Sequence, residues 1–446
     1  MRKLLKKLTY TQIIVLSFLL VILIGGSLLC LPVASADGAA TSPINAFFTA
    51  TSATCVTGLV VVDTFTHWSL FGQIVILCLI QTGGLGFLMY ISMFSVFLKR
   101  KIGVYERRLL MQAEGNLKLS GAVSSLKRIV LGTFMFEGIG AIILATRFCP
   151  KMGLGEGIYN AIFHSVSAFC NAGFDIMGKY KEFSSLTTFA EDKVVLLTLM
   201  ALIVIGGIGF LVWSDILKFK LRFKKFSLHT KLALSTSAIL LLGSGVLFFA
   251  LEYNGVLKDF SLFDKLTNAA FLAVSPRTAG FNTIELSNLK PASEVITDLL
   301  MLIGGSPGST AGGLKTTTFA VLILSTLATA RHDTHPQIFK RRLSDDALNQ
   351  ATAIFTIYIL VSLVGIILIC TLEKCDIPTA AFEVISAIGT VGATKGLTAT
   401  LTVASKLIII GLMFGGRVGG LSLVLSLAEK RENVPLDRPT EKILIG

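Results

Sequence analysis

Four short segments of this chain end on the same kind of chemistry. They are Asn45–Val60, Asn160–Asp175, Asn268–Asn282 and Ala381–Thr394, and each runs through small and apolar residues, with a Ser or Ala step, to a final glycine. The last four residues before and including that glycine are Cys55, Val56, Thr57 and Gly58; Cys170, Asn171, Ala172 and Gly173; Arg277, Thr278, Ala279 and Gly280; and Gly389, Thr390, Val391 and Gly392. Side-chain ligands are few, so the available chemistry is that of backbone carbonyls. Glycine reaches backbone angles closed to other residues, which lets consecutive carbonyl oxygens turn to one side. Rings of such oxygens can replace the hydration shell of a monovalent cation. With the carbonyls turned inward, the thiols of Cys55 and Cys170 are expected to point away and pack.

A second glycine element follows each of these segments. It begins at Gly83, Gly206, Gly304 and Gly415, and the two elements keep their order at a period of about 110 residues. One glycine motif in an apolar helix signifies close helix packing. Four ordered copies of a two-part motif signify an internal repeat. The expected division is residues 1–110, 111–225, 226–345 with a broken sixth span, and 346–430, followed by a tail at 431–446.

These loops need membrane-spanning helices to hold them. The chain of 446 residues is 53% hydrophobic and 15% charged, and its apolar residues come in long runs. About 20 apolar residues suffice to cross a bilayer as a helix. Runs near 11–32, 70–98, 126–147, 193–217, 230–251, 296–327, 350–372 and 404–428 predict eight spans. The first is read as a retained helix and not a cleaved leader. Shorter pieces near 43–53, 157–168, 262–274 and 379–388 cannot span and are expected to be re-entrant. The predicted fold is an all-α membrane protein in which four pseudo-symmetric span–pore helix–span repeats surround one central pore. Equivalent surfaces favour equivalent contacts, hence a pseudo-fourfold axis. The short helices would aim their partly negative C-termini at a cation on that axis.

Most Lys and Arg fall on the side of the N-terminus, the even-to-odd loops and the C-terminal tail. This places both termini in the cytoplasm and the chain in the cytoplasmic membrane. The net charge of +13 is split among short loops such as 99–101 and 218–225, which argues against a nucleic-acid surface. Seven cysteines fit no zinc or redox spacing and read as buried, reduced hydrophobes. His67 and His164 read as ordinary membrane-interface residues. Glu137, inside the third span, is expected either to hold helices together or to border the ion path. No Ser-His-Asp set, carboxylate pair or metal-ligand cluster emerges, and an enzyme is not expected. The competing reading is a proton-coupled or ammonium transporter, which would need titratable groups along the path; a membrane-embedded enzyme, such as a lipid transferase, is a more distant one.

The sixth span is interrupted by Gly304, Gly305, Ser306, Pro307, Gly308, Ser309, Thr310, Ala311, Gly312 and Gly313, followed by Lys315. Interior glycine costs a helix about 1 kcal/mol and proline about 3 kcal/mol. A broken helix at mid-membrane marks a binding or gating element. Arg417 lies in the last span, where a charge costs at least about 2.5 kcal/mol. It is expected to meet the loop at 304–313 through carbonyls and hydroxyls and to form a positive barrier below the carbonyl rings.

The first glycine segment loosely resembles the TVGYG signature, and Thr390-Val391-Gly392 contains its TVG. Together with the eight spans, the chain from about residue 11 to 428 resembles the Trk/Ktr/HKT superfamily of potassium transporters, and most closely the Ktr-type membrane subunits, KtrB. The resemblance implies potassium held at the filter carbonyls and no cofactor in this chain. It implies filter roles for Thr57-Gly58, Ala172-Gly173, Ala279-Gly280 and Val391-Gly392, and an intramembrane gate in the third repeat. It further implies a homodimer with one pore per protomer, a cytoplasmic KtrA-like ring of nucleotide-binding regulatory subunits, and activation by sodium.

Overall fold

The structure is a computed structural model, which describes residues 9–86, 122–220, 222–333 and 335–419. The basic loop at 99–101, the ends of the second and eighth spans (87–98 and 420–428) and the tail lie outside the described residues. The described part holds fourteen α-helices and one two-stranded hairpin of Gln337–Ile338 with Arg341–Arg342.

Among the described residues, four helices are long and apolar enough to cross a membrane: α1 (Tyr10–Leu29), α4 (Ala122–Met152), α8 (Leu228–Glu252) and α12 (Asp345–Glu373). A shorter helix follows each of them: α2 (Pro43–Thr54), α5 (Leu154–Phe169), α9 (Leu262–Val274) and α13 (Ile377–Gly389). Each short helix packs against its long predecessor. The returning helices are α3 (Leu70–Leu85), α6 (Lys193–Gly207) with α7 (Phe210–Phe219), α10 (Pro291–Leu302) with α11 (Thr316–Ala330), and α14 (Val403–Val418).

The helix starts follow from local chemistry. Thr9 begins α1 with a reciprocal pair, its hydroxyl accepting from Gln12 N–H and the Gln12 side chain accepting from Thr9 N–H. Ser69, Asp192, Ser227, Ser261, Ser344 and Thr402 each accept an orphan backbone N–H at the start of their helices. Proline opens α2, α10 and α13, where its missing N–H costs nothing. The short helices carry their buried faces inward, and Phe48, Phe163, Phe169, Phe271 and Phe382 are fully enclosed.

The fourth span does not run straight over 193–217. It bends by 95° between α6 and α7. At the break Gly209 has φ +103, and its neighbourhood is filled by the Pro307 and Gly308 carbonyls of the interrupted sixth span. The apolar run hides this bend because hydropathy continues through it.

Candidate functional site

The ends of α2, α5, α9 and α13 converge. Their caps are Cys55, Cys170, Ser275 and Thr390, and the segments beyond carry Gly58, Gly173, Gly280 and Gly392. These glycines adjoin one another in a closed cycle. A Cβ on Gly58 would lie 2.5 Å from the Ala172 carbonyl oxygen and 3.1 Å from Gly173 Cα. A Cβ on Gly173 would lie 2.5 Å from the Ala279 oxygen and 3.5 Å from Gly280 Cα. Gly280 faces the Val391 oxygen and Gly392 in the same way, and Gly392 faces the Thr57 oxygen and Gly58. Four carbonyls, of Thr57, Ala172, Ala279 and Val391, therefore each sit against the glycine of an adjoining loop.

The four segments share one backbone twist. All four glycines have positive φ, at 91°, 71°, 75° and 90°. So do the residues two positions earlier, Val56 at 55°, Asn171 at 57°, Thr278 at 78° and Thr390 at 52°. Left-handed backbone costs a non-glycine residue roughly 1–3 kcal/mol and persists only where the surroundings impose it. Val56, Thr278 and Thr390 are β-branched and doubly unsuited to it. Four copies of this strain in one register mark the site more sharply than the glycines do, and the residue types gave no sign of it.

Serines hold the twist. Ser52 Oγ accepts from Gly58 N–H and Ser386 Oγ accepts from Gly392 N–H, both at 3.1 Å. Ser167 Oγ donates to the Phe174 carbonyl at 2.7 Å, and Ser275 Oγ donates to that of Phe281. Oriented so that its NH2 donates to the Ala168 and Ile203 carbonyls, the Asn171 amide accepts from the Thr278 hydroxyl at 3.0 Å. This bond laces the second loop to the third.

The second glycine element has a steric cause. A Cβ on Gly83, Gly206 or Gly416 would strike the Thr54, Phe169 or Ile388 carbonyl respectively, each four residues before a ring glycine. Backbone of the returning helix thus touches the end of the short helix in three units. The third unit departs, because Gly304 belongs to the interrupted stretch and faces Gly312 and Thr278. The ends of the first and fourth copies of this element, beyond 86 and 419, lie outside the described residues.

The loop over 303–315 lies against this ring. Its ends pair as a parallel bridge between Ile303 and Leu314. Ser306 N–H donates to the Gly207 carbonyl at 2.9 Å and Phe210 N–H donates to that of Gly308 at 2.7 Å. Thr310 Oγ1 donates to the Phe169 carbonyl at 3.1 Å. A Cβ on Gly304 would lie 3.0 Å from Thr278 Cγ2, and one on Gly313 would lie 2.9 Å from the Gly389 oxygen. Lys315 Nζ donates to the Ala311 and Gly312 carbonyls at 2.7 and 3.2 Å. Arg417 Nη1 donates to the Thr310 carbonyl, while Nη2 donates to those of Gly83 and, at 3.0 Å, Gly84. Arg417 therefore ties α14 both to the loop and to the end of α3, and the second tie was invisible in the sequence.

Other residues fall elsewhere than expected. His164 is not at an interface: it is fully buried among Phe148, Phe163 and Phe281, with Nδ1 2.8 Å from the Asn160 carbonyl. Its helix turns it inward where the sequence offered only its distance from the span ends. His67 is half-buried beside Trp68, 3.0 Å from the Thr41 hydroxyl. Of the cysteines only Cys55 and Cys170 are buried, and Cys78 is exposed on the outward face of α3. Cys170 points away from the ring, its thiol 3.5 Å from Gln81 Oε1 and 3.9 Å from Glu137 Oε1. Glu137 accepts from Gln81 Nε2 at 3.1 Å behind the second loop. Glu383, inside α13, accepts from the Thr394 hydroxyl and, at 2.7 Å, from that of Thr398.

The family model for the cation transport protein TrkH matches residues 4–434 of the chain. The chain belongs to this family. It is 41% identical over 99% of its length, and 98% of the relative's, to the potassium/sodium uptake protein NtpJ of Enterococcus hirae. It is 40% identical over 98% of its length, and 97% of the relative's, to the Ktr system potassium uptake protein B of Bacillus subtilis. In fold it is similar to the crystal structure of the potassium transporter TrkH from Vibrio parahaemolyticus, with a TM-score of 0.73 at 19% identity, covering 92% of this chain and 84% of that one. This TrkH-family chain is a multi-pass membrane cation transporter and not an enzyme.

Proposed function

We propose that the chain takes up potassium across the cytoplasmic membrane through a filter of backbone carbonyls. The observation that carries this reading is the closed cycle of Gly58, Gly173, Gly280 and Gly392, each against the carbonyl of an adjoining loop. Irregular backbone at membrane depth persists only where it is buried or lines a water-filled path. Alternation of right- and left-handed residues, as at Cys55 and Val56 or Cys170 and Asn171, turns successive carbonyls to one side. The Thr57, Ala172, Ala279 and Val391 oxygens then present one ring to a dehydrated ion. The short-helix C-termini add negative potential beneath it. Ring members come from four unequal loops, with Val56, Asn171, Thr278 and Thr390 at one level, so selectivity is weaker than four identical loops would give. The names of the two relatives, one for potassium and sodium and one for potassium, agree with this.

The loop over 303–315 is the gate, held by Lys315 and Arg417 directly under the ring. Gate opening releases the contacts to Gly207, Phe169 and Arg417. The four units form the four repeats expected from the sequence, about one pseudo-fourfold axis. The functional unit is a homodimer in the bilayer with both termini cytoplasmic, docked on a KtrA-like nucleotide-binding ring, and sodium acts as activator. Rubidium uptake in a potassium-uptake-deficient host tests the reading. Expression is expected to restore rubidium flux and growth at low potassium; flux equal to that of the empty host, with the protein present in the membrane, would refute it. A dependence on pH with no rubidium flux would favour the proton-coupled alternative.

A further inference from the structure

Arg277 is a buried cation with fewer hydrogen-bond partners than Arg417. It sits three residues before Gly280 and is 8% exposed. Its Nη2 donates to Ser237 Oγ on α8 at 3.2 Å and reaches the Gly304 carbonyl at 3.4 Å. Its Nε is buried and has no hydrogen-bond partner. None of the ion pairs among the described residues includes Arg277. A buried cation without a carboxylate, and with an orphan N–H, carries a large desolvation cost that the protein groups present do not offset.

The same guanidinium borders a small cavity of about 20 Å³. The cavity lies between the second and third loops and the interrupted span, with Asn171, Ser237, Arg277 and Gly305 among its polar lining and Ile203 and Leu241 among its apolar lining. A space of roughly this size with polar partners holds one solvent molecule. Ser237 Oγ accepts from Arg277, which leaves its own hydrogen free to donate. The Asn171 NH2 is spent on carbonyls. Arg277 Nε and Nη1 and the Ser237 hydroxyl are therefore the donors left without a partner, and no carboxylate lines the space.

We propose that the Arg277 guanidinium and Ser237 Oγ hold one small hydrogen-bond acceptor in this cavity, a chloride ion or a single water. Chloride would also neutralise the guanidinium. The occupant completes the link between the third loop and the start of the 303–315 loop, because the arginine that holds it also reaches Gly304. This site does not rest on the assignment of the carbonyl ring as a potassium filter, and its test reads no transport.

Crystals of the full chain grown in potassium chloride and in potassium bromide test it, at a resolution that shows ordered water. A peak about 2.8–3.3 Å from a guanidinium nitrogen of Arg277 is expected. A bromide anomalous signal at that peak identifies an anion, and the same peak without signal identifies water. An empty cavity with the Arg277 side chain in place overturns the proposal. Thermal unfolding at constant potassium, with chloride replaced by gluconate, gives an independent reading of the anion arm. With an anion as occupant, chloride raises the midpoint by several degrees, with the shift lost in Arg277→Gln and reduced in Ser237→Ala; with water as occupant the midpoint is the same in both salts. The serine variant keeps the charge and tests the site if the arginine variant fails to fold.

Discussion

Arg417 Nη1 donates to the carbonyl of Thr310, joining the last described helix to the loop beneath the glycine ring across 107 residues of sequence. The same guanidinium reaches Gly83 and Gly84. It clamps three backbone carbonyls with one planar fork, a geometry that lysine's single ammonium cannot reproduce. A hydrogen bond to a charged group contributes about 1.5–3 kcal/mol. Arg417→Gln is expected to loosen the loop and raise rubidium uptake at low external rubidium by roughly tenfold, the factor that about 1.4 kcal/mol corresponds to. Arg417→Lys is expected to fall between. Initial uptake rates in a potassium-uptake-deficient host, normalised to membrane protein, measure this; unchanged rates in both variants would remove Arg417 from the gate.

Gly58 offers a test of the ring itself. Its φ is +91° and a Cβ there would meet the Ala172 oxygen at 2.5 Å. Gly38 also has positive φ, at 72°, but a Cβ there meets nothing within 4 Å. Gly58→Ala thus adds backbone strain and a clash inside the ring, whereas Gly38→Ala adds strain alone, of about 1 kcal/mol. Gly58→Ala is expected to lower rubidium uptake more than tenfold, with Gly38→Ala within twofold of the parent. Equal uptake by the two variants, at equal membrane abundance, would contradict the role of the ring.

The four short helices were legible from the sequence because each is a small-residue apolar piece too short to span, with a glycine shortly after its end. The interruption of the sixth span was legible because glycine and proline break helices wherever they gather. The bend between Gly207 and Phe210 was not, since Ile203, Val204, Ile205 and Ile208 keep the hydropathy high through it. The left-handed twist at Val56, Asn171, Thr278 and Thr390 was hidden for a different reason. Tertiary contacts impose it on Val56, Thr278 and Thr390, whose branched side chains prefer the other hand, and only Asn171 is of a type that tolerates it. The contacts of Arg417 with Gly83 and Gly84 were hidden because carbonyl acceptors carry no sequence signature.

Asp175 follows Gly173 by two residues and accepts from Met177 N–H at 3.0 Å. Burial, with a further contribution from the nearby Asp63 charge, pushes its carboxyl up to about 7. The raised value means that its negative charge is present above pH about 7 and lost as pH falls below it. A carboxylate beside the ring raises the local cation concentration. The KM for rubidium is therefore expected to rise as external pH falls from 8 to 6, by about two- to fivefold, and the dependence is screened by added salt. Asp175→Asn is expected to show the high KM at both ends. A profile that persists unchanged in Asp175→Asn would assign the titration to another group.

Lys395 and Glu294 form an ion pair at 2.8 Å with only 17% and 14% of their side chains exposed. It joins α10, which leads into the 303–315 loop, to the segment just past Gly392. Breaking such a pair on one side strands the remaining charge, at about 3 kcal/mol where both partners are largely buried. Lys395→Met strands Glu294, and Glu294→Gln strands Lys395, so either single variant is expected to lower the thermal midpoint of the purified protein by several degrees. The double variant Glu294→Gln with Lys395→Met removes both charges of the pair together. It is expected to recover most of the loss, because the cost lies in the orphaned ion and not in the missing attraction. Additive losses in the double variant would show that the two residues do not act as a pair.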